Sequence, residues 1–500
     1  MKENQYITDI TIGRSLFDKY LLIPEQEKRG RYKTLEKYLA IKPIDKVCVL
    51  YGLKGTGKNT LLSQCISSMS DADIQKTAYI KATSDDTMRD VYNDLALLYK
   101  NGIRYVFIDE ITSVRDFIIS SAVLSDIYAA MGMKIVLSGT DSYSFCLAEK
   151  HELYARAYNI RTTHIPFEEY SKLLKKDGID EYIRCGGTLY AEYSPFINDK
   201  SAKEYIETAV VDNLYNSLVC CDDRDRFKHL YSLYECGVLK DAVSRVIEGI
   251  NYSLMFDVIE ELDDKSMSER LTEALNRRMV EENVTGITDT QVKEIKEFLK
   301  EMDIISYVSV KTTTADMNSY DDIVFTQPGM RYCQSHALVH LLMKDSMFNE
   351  ESEEVKKIVS GQILSEVKGR ILKDIVLMET TKKLNPKQYM VFKLTTAGGK
   401  FDMVIYDRVK NVCGIYEIKH SDKIDENEYK NLADEEQCAL VERIYGNIVS
   451  KTILYRGESF ESENGIRYRN VEEYLKNTIY DFSLEQSQDD VSVQNGMDLM

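Results

Sequence analysis

At 500 residues the chain exceeds one ordinary domain, and at about 150 residues per domain the expectation is roughly three. Apolar residues make up 44% and charged residues 29%, a globular balance that excludes a wholly disordered chain. Lys and Arg total 64 against 82 Asp and Glu, and this formal charge of −18 excludes a broad nucleic-acid-coating or anionic-membrane-binding surface. The ten cysteines are scattered with no CxxC pair, although Cys220 and Cys221 are adjacent. The opening MKENQYITDI lacks the apolar core of a signal peptide, and no apolar run approaches the ~20 residues that span a bilayer. The expectation is a cytoplasmic protein with packing thiols and no membrane partner.

The first part alternates strand-like and helix-like runs. KVCVLYG ends at Gly52, and a helix follows from about Lys58; TAYIKA begins at Thr77, with a helix near Met88 to Tyr99. YVFIDE ends at Glu110, a helix covers Phe117 to Ala130, KIVLSGT ends at Thr140, and TTHIPF around Ile165 reads as the last strand. Short apolar strands separated by helices predict a parallel sheet covered on both faces.

Beyond Tyr170 the pattern is mainly helical, with helices expected over Ser201 to Val219 and Arg226 to Cys236. From Thr288 a capped amphipathic helix, with Val292, Ile295, Phe298, Leu299 and Met302 at helical spacing, runs into a strand; after a polar loop, DDIVFTQPG gives a second. Helix followed by hairpin is the outline of a winged helix.

The charged stretch Asn349 to Lys357 reads as a linker. The last domain then reads as a helix (Ile363 to Thr380), three strands (from Tyr389, Phe401 and Gly414), a helix (Glu428 to Tyr445) and a strand (Val449 to Tyr455). From Ser483 the chain is polar and acidic and reads as a disordered tail. The expected divisions are 1–175, 176–345, 358–482 and 483–500.

Two constellations carry chemistry. Gly52-Leu53-Lys54-Gly55-Thr56-Gly57-Lys58 lies between a predicted strand and a predicted helix. There the glycines let backbone N–H groups turn toward phosphate, the helix N-terminus adds partial positive charge, and Lys58 reaches the β- and γ-phosphates. Where Ser or Thr would ligate Mg²⁺ stands Asn59, followed by Thr60, so nucleotide binding survives this change more easily than hydrolysis. At the end of the YVFID run, Asp109 is expected beside the metal and Glu110 against the attacking water. A strand inserted between the P-loop and Asp-Glu strands marks the additional-strand ATPase class. Ser138 and Thr140 end the next strand as candidate γ-phosphate sensors, and Arg156 and Arg161 are candidate charge-compensating arginines.

YGLKGTGKNTLL, YVFIDEIT, KIVLSGTDS, HIPFEEY and VFTQPGMRY together resemble the prokaryotic archaeal-type AAA ATPases, in particular the group with a C-terminal nuclease-like domain. The resemblance implies an AAA-like P-loop NTPase core, then a helical and winged-helix region, with ATP and Mg²⁺ as ligands.

In the last domain, Asp402 is followed by Glu417 and Lys419 on the next strand, two apart and so on one face. GKFDMVIYD and GIYEIKHSD resemble the PD-(D/E)xK nuclease fold. That resemblance implies that Asp402 and Glu417 hold a divalent cation and that Lys419 positions or deprotonates water. Relatives place a glutamate on the preceding helix, where this chain has Lys373; Glu366 is a substitute, Asp374 points about 100° away, and Gln437 is a further polar candidate. His336 and His340, four apart, lack a third zinc ligand and read as packing or surface residues. Lys382, Lys383 and Lys387 read as a solvated turn. The leading expectation is an ATPase whose nucleotide state controls a nuclease-like domain acting on DNA or a partner, with homo-oligomers left open. The alternative is an ATP-bound switch or scaffold with little hydrolysis and an inactive nuclease-like domain.

Overall fold

A computed structural model describes residues 6–19, 27–42, 45–141, 144–145, 148–149, 152–162, 164–176, 178–190, 194–220, 227–282, 286–313, 319–423 and 430–477. The expected acidic tail, Cys146 and Cys221 lie outside the described residues. The chain sorts into two compact units. The first comprises Met1–Asp177, Arg184–Ile305 and Gly329–Asn349, and the second Gly178–Ile183, Ser306–Pro328 and Glu350–Met500.

The first unit is built on six strands, β1 (Asp9–Ile12), β2 (Val47–Tyr51), β3 (Thr77–Lys81), β4 (Tyr105–Asp109), β5 (Lys134–Gly139) and β6 (Ala157–Arg161), in the order β1-β3-β4-β5-β2-β6. All pair in parallel except β1, which runs antiparallel to β3. Every residue of β2 and of β5 is buried, which is why these strands read as unbroken apolar runs rather than alternating ones. On one face Cys48, Leu50, Phe107 and Val136 pack with Leu35, Tyr38, Leu61 and Leu62 from flanking helices. The order places β5 between the P-loop strand β2 and the acidic strand β4, as the additional-strand class requires.

Two expectations fail locally. The last strand is β6 rather than the segment around Ile165, which instead leads into the helix Phe167–Leu174 behind Pro166. Proline fixes φ and suits a helix start better than a central strand. The stretch expected as one helix over Phe117 to Ala130 is a short helix, Phe117–Ser120, followed by a π-type turn over Leu124–Ala129. The helical part holds the helices Leu239–Glu260 and Lys265–Glu282, which pack on each other. The helix Asp289–Glu301 has the expected cap: Thr288 N–H donates to Gln291 Oε1 at 2.8 Å while Gln291 N–H returns to Thr288 Oγ1 at 3.3 Å. Ile295, Phe298, Leu299 and Met302 are buried and Val292 half-buried.

The second unit holds an eight-stranded sheet ordered β13-β14-β12-β11-β10-β9-β7-β8. Its strands are β7 (Ile305–Thr312), β8 (Ser319–Phe325), β9 (Tyr389–Thr395), β10 (Lys400–Asp407), β11 (Val412–Ile418), β12 (Asn447–Tyr455), β13 (Phe460–Glu461) and β14 (Arg467–Asn470). The meander β9-β10-β11 is antiparallel, and β12 joins β11 in parallel after the helix Glu435–Tyr445. The two strands read as a winged-helix hairpin extend this sheet, with β7 parallel to β9 from Val310↔Lys393 to Thr312↔Thr395. Phe392, Leu394, Val404, Cys413, Ile415, Leu432, Val441 and Ile453 form the core under the Glu435–Tyr445 helix. The expected linker is helical: Ser352 caps a single helix, Glu353–Lys383, by accepting from Val355 N–H at 3.2 Å. Its acidic residues Glu353 and Glu354 sit in the first turn, where they complement the helix dipole.

Candidate functional site

In the first unit the loop after β2 turns through two glycines held at positive φ, Gly55 at 79° and Gly57 at 75°. A Cβ at Gly55 would strike the Tyr190 ring, and one at Gly57 would meet Leu189 and Arg29, so both conformation and space require glycine. Leu189 N–H also donates to Gly55 O at 2.9 Å. The Thr56 hydroxyl is spent inside the loop, donating to Leu53 O at 2.6 Å and lying 3.3 Å from Thr162 Oγ1.

Lys58 opens the helix Lys58–Ser67, and its side chain folds back so that Nζ donates to Gly52 O at 2.8 Å and to Leu53 O at 3.1 Å. It is 5% exposed. Burial pulls its pKa down to about 8, while the charges of Glu110 and Asp109 oppose that fall. Asn59 on the same turn is exposed and Thr60 half-buried.

The carboxylates come from the next strands outward. Asp109, buried at the end of β4, accepts from Tyr79 O–H on β3 at 2.8 Å and from Ser138 O–H on β5. Glu110 takes a left-handed φ of 54°, and its Oε2 accepts from Thr140 Oγ1 at 3.0 Å and from Thr140 N–H at 3.3 Å. The inserted strand β5 thus orients both acidic side chains. Arg156 pairs with Asp126 at 2.6 Å, and Arg161 donates to Glu301 O, so both arginines have partners within this unit.

Sequence reasoning missed Arg29. It is 2% exposed, donates to Thr56 O in the loop, and pairs through Nε with Glu169. Its guanidinium adds a second buried positive charge next to Lys58. Two close-approach glycines and two buried cations, satisfied among the described residues by carbonyls and a carboxylate, form a set that fits a triphosphate. Asp109, with Asn59 or Thr60, is the set that would hold its Mg²⁺.

In the second unit Asp402 on β10 and Glu417 on β11 come together, and Lys419 follows β11 with Nζ 3.6 Å from Glu417 Oε2. Lys373 reaches them from the Glu353–Lys383 helix, with Nζ 2.7 Å from Asp402 Oδ1. Asp402 Oδ2 accepts from Ile418 N–H at 2.8 Å. Burial would raise the Asp402 pKa, but Lys373 and the Ile418 N–H more than offset it and hold the carboxyl below its ordinary range. For Glu417, burial first and the Asp402 charge second push the pKa up to about 8. Of the other helix candidates, Glu366 is exposed and Asp374 faces Lys393 at 3.5 Å. Gln437 accepts from Thr396 O–H. Among the described residues no group of three or more His, Cys, Asp or Glu is arranged to hold a metal ion.

A second cluster went unforeseen. At the ends of β11 and β12, Lys368 Nζ at 3.0 Å, His420 Nε2 at 3.0 Å and Arg456 Nη1 at 2.8 Å converge on the Asp180 carboxylate. Burial lowers the His420 pKa despite the carboxylate beside it.

Comparison with solved structures gives distant likenesses. The Aeropyrum pernix Orc1 protein in complex with DNA is 14% identical at a TM-score of 0.26, covering 66% of this chain and 98% of that one. The S. cerevisiae Hsp104–ADP complex is 11% identical at a TM-score of 0.28, covering 78% of this chain and 63% of that one. No curated protein matches. No helix among the described residues is long and apolar enough to cross a membrane. A family model described as an AAA domain matches residues 45–171, from just before β2 into the helix that follows β6. The P-loop, Asp109, Glu110 and Thr140 all fall inside that match, so this part of the chain is similar to an AAA domain.

Proposed function

We propose that this protein is an ATPase in which the nucleotide state of the first unit controls a nuclease-like second unit acting on DNA or on a partner protein. The observation that carries the nucleotide half is Lys58. A buried ammonium satisfied, among the described residues, by loop carbonyls, with Asp109 and Glu110 close enough to influence its proton, is poised to exchange those carbonyls for phosphate oxygens. Arg29, Lys58 and the loop N–H groups bind and orient the triphosphate, Asp109 and Asn59 or Thr60 hold the dication, and Glu110 takes the proton of the attacking water. Mg²⁺ supplies charge neutralisation on the transferred phosphoryl group. For the control half, the support is the path of the chain, which leaves the first unit for the second at Gly178–Ile183 and returns at Arg184.

Calorimetry on the full chain tests the binding half: ATP should bind with heat, and Lys58→Ala should abolish it. ATP turnover that never responds to DNA, with nucleotide affinity indifferent to the second unit, would remove the control half. A second reading, a switch that holds ATP and turns it over slowly, is favoured by the exposed amide of Asn59 where a hydroxyl ligand is expected. Asn59→Thr separates the two, because a large gain in hydrolysis means that the native chain is tuned to hold nucleotide.

A further inference from the structure

The carboxylates of the second unit already have a cation. Lys373 descends from the Glu353–Lys383 helix, which packs on β9 and β11, and places its ammonium 2.7 Å from Asp402 Oδ1. The other Asp402 oxygen is taken by Ile418 N–H. Glu417 is 4% exposed, its Oε2 lies 3.6 Å from Lys419 Nζ, and its Oε1 has no hydrogen-bond partner among the described residues. A hard dication bound to these carboxylates would stand at about 2.0–2.6 Å from the oxygen that Lys373 occupies. It would also meet, at short range, the like charge of Lys373, whose side chain is 25% exposed. Ammonium and dication therefore exclude each other, and the residues present do not fit a resident metal.

We propose that Lys373 is the built-in counter-cation of this site, standing in the seat that a metal-dependent nuclease of the same outline gives to its dication. By this account the second unit binds no divalent metal on its own and has no metal-activated water. Two observations meet here: the ammonium is in direct contact with Asp402, and the buried Oε1 of neighbouring Glu417 has no hydrogen-bond partner among the described residues. The inference deepens the nuclease-like reading of the second unit and rests on it, but owes nothing to the ATP reading.

The test is Mn²⁺ uptake by the full-length protein without nucleotide, read from the loss of the free-ion paramagnetic signal. The wild type should take up no Mn²⁺ that depends on Asp402. Lys373→Glu, which supplies a third carboxylate, should gain one equivalent that disappears when Asp402→Asn is added. Lys373→Gln, a milder change, guards against a folding failure and should gain a weaker site with the same dependence. Wild-type uptake abolished by Asp402→Asn would overturn the proposal. So would a folded Lys373→Glu protein that gains nothing, because Lys373 would then not be occupying the metal's place. No nucleotide is present, so these outcomes do not depend on whether the first unit binds ATP.

Discussion

Thr140 holds Glu110 by two bonds to one oxygen, its hydroxyl at 3.0 Å and its N–H at 3.3 Å from Oε2. In the proposed mechanism Glu110 accepts the water proton, and Thr140 is then a positioning residue for that base. Removing a base of this kind costs about 10²–10⁴ in rate, and Glu110→Gln should lose at least the lower figure while still binding ATP. Thr140→Val keeps the backbone bond but loses the hydroxyl. We expect kcat to fall about tenfold, a loss near 1.4 kcal/mol of transition-state stabilisation. KM should change little, and steady-state kinetics separates the two constants. A KM rise with unchanged kcat would instead mean that Thr140 touches the nucleotide directly.

Lys58 gives a pH signature of ATP binding. Its pKa is drawn down to about 8 by burial, whereas an unfolded lysine titrates near 10.4. Bringing a triphosphate to the ammonium favours the charged form and raises that pKa. Near pH 8.5 ATP binding should therefore take up protons, up to about one per site. Calorimetry in buffers of different ionisation enthalpy measures this uptake directly. The same shift acts on stability without ligand. Between about pH 8 and 10.4 the unfolded chain binds the proton that the folded chain has lost, so this group makes stability rise with pH across that window. Lys58→Met should remove both effects.

Glu417 works in the opposite sense. Its folded pKa lies at about 8, raised mainly by burial, against about 4.3 when unfolded. Across that interval the folded chain holds a proton that the unfolded chain has released, and the contribution to stability present at low pH is lost as pH rises through the folded value. Glu417→Gln removes this slope. We expect the melting temperature of the variant, relative to wild type, to climb from pH 5 to pH 9. A constant difference would mean that Lys419 and Lys373 keep Glu417 ionised throughout.

The legible parts of both sites are those written within one strand–loop–helix. Gly52 to Lys58 sits where the apolar run of β2 ends, and Asp109–Glu110 ends another such run. Strand periodicity puts Glu417 and Lys419 on one face, and the resemblance to the PD-(D/E)xK fold is what singles them out together with Asp402. Arg29 was hidden because its partners, Thr56 and Glu169, lie 27 and 140 residues away and its local context, EKRGRYK, looks like a solvated charge run. The Asp180–His420 contact spans 240 residues and leaves no local trace. The stretch read as a linker, Asn349 to Lys357, contains the boundary between the two units at Asn349 and Glu350, and its surface charge masks the capped first turn of the helix from Glu353. The pairing of β7 with β9 is non-local, so a hairpin that looks self-contained in sequence becomes part of a larger sheet. Strands β13 and β14 are too short and polar to show a period.

Asp180 offers a test of whether the second unit meets nucleic acid. Its carboxylate satisfies Lys368 and Arg456 at once, with His420 as a third donor. Asp180→Asn keeps the shape but leaves Lys368 without its ionic partner, while Arg456 keeps Asp422 at 3.3 Å. Since the side chain is 35% exposed and solvent screens the pairs, the stability loss should be about 1 kcal/mol or less. The electrostatic consequence is larger, because the freed Lys368 ammonium becomes available as a phosphate ligand. If the second unit contacts DNA through this end of the sheet, Asp180→Asn should tighten binding at low salt. It should also steepen the slope of log affinity against log salt by about one phosphate contact. Lys368→Ala should flatten that slope. Fluorescence anisotropy with labelled duplex across a salt series reads all three proteins. Identical slopes for wild type, Asp180→Asn and Lys368→Ala would place any DNA contact elsewhere and leave Lys368, His420 and Arg456 as a structural clasp on Asp180.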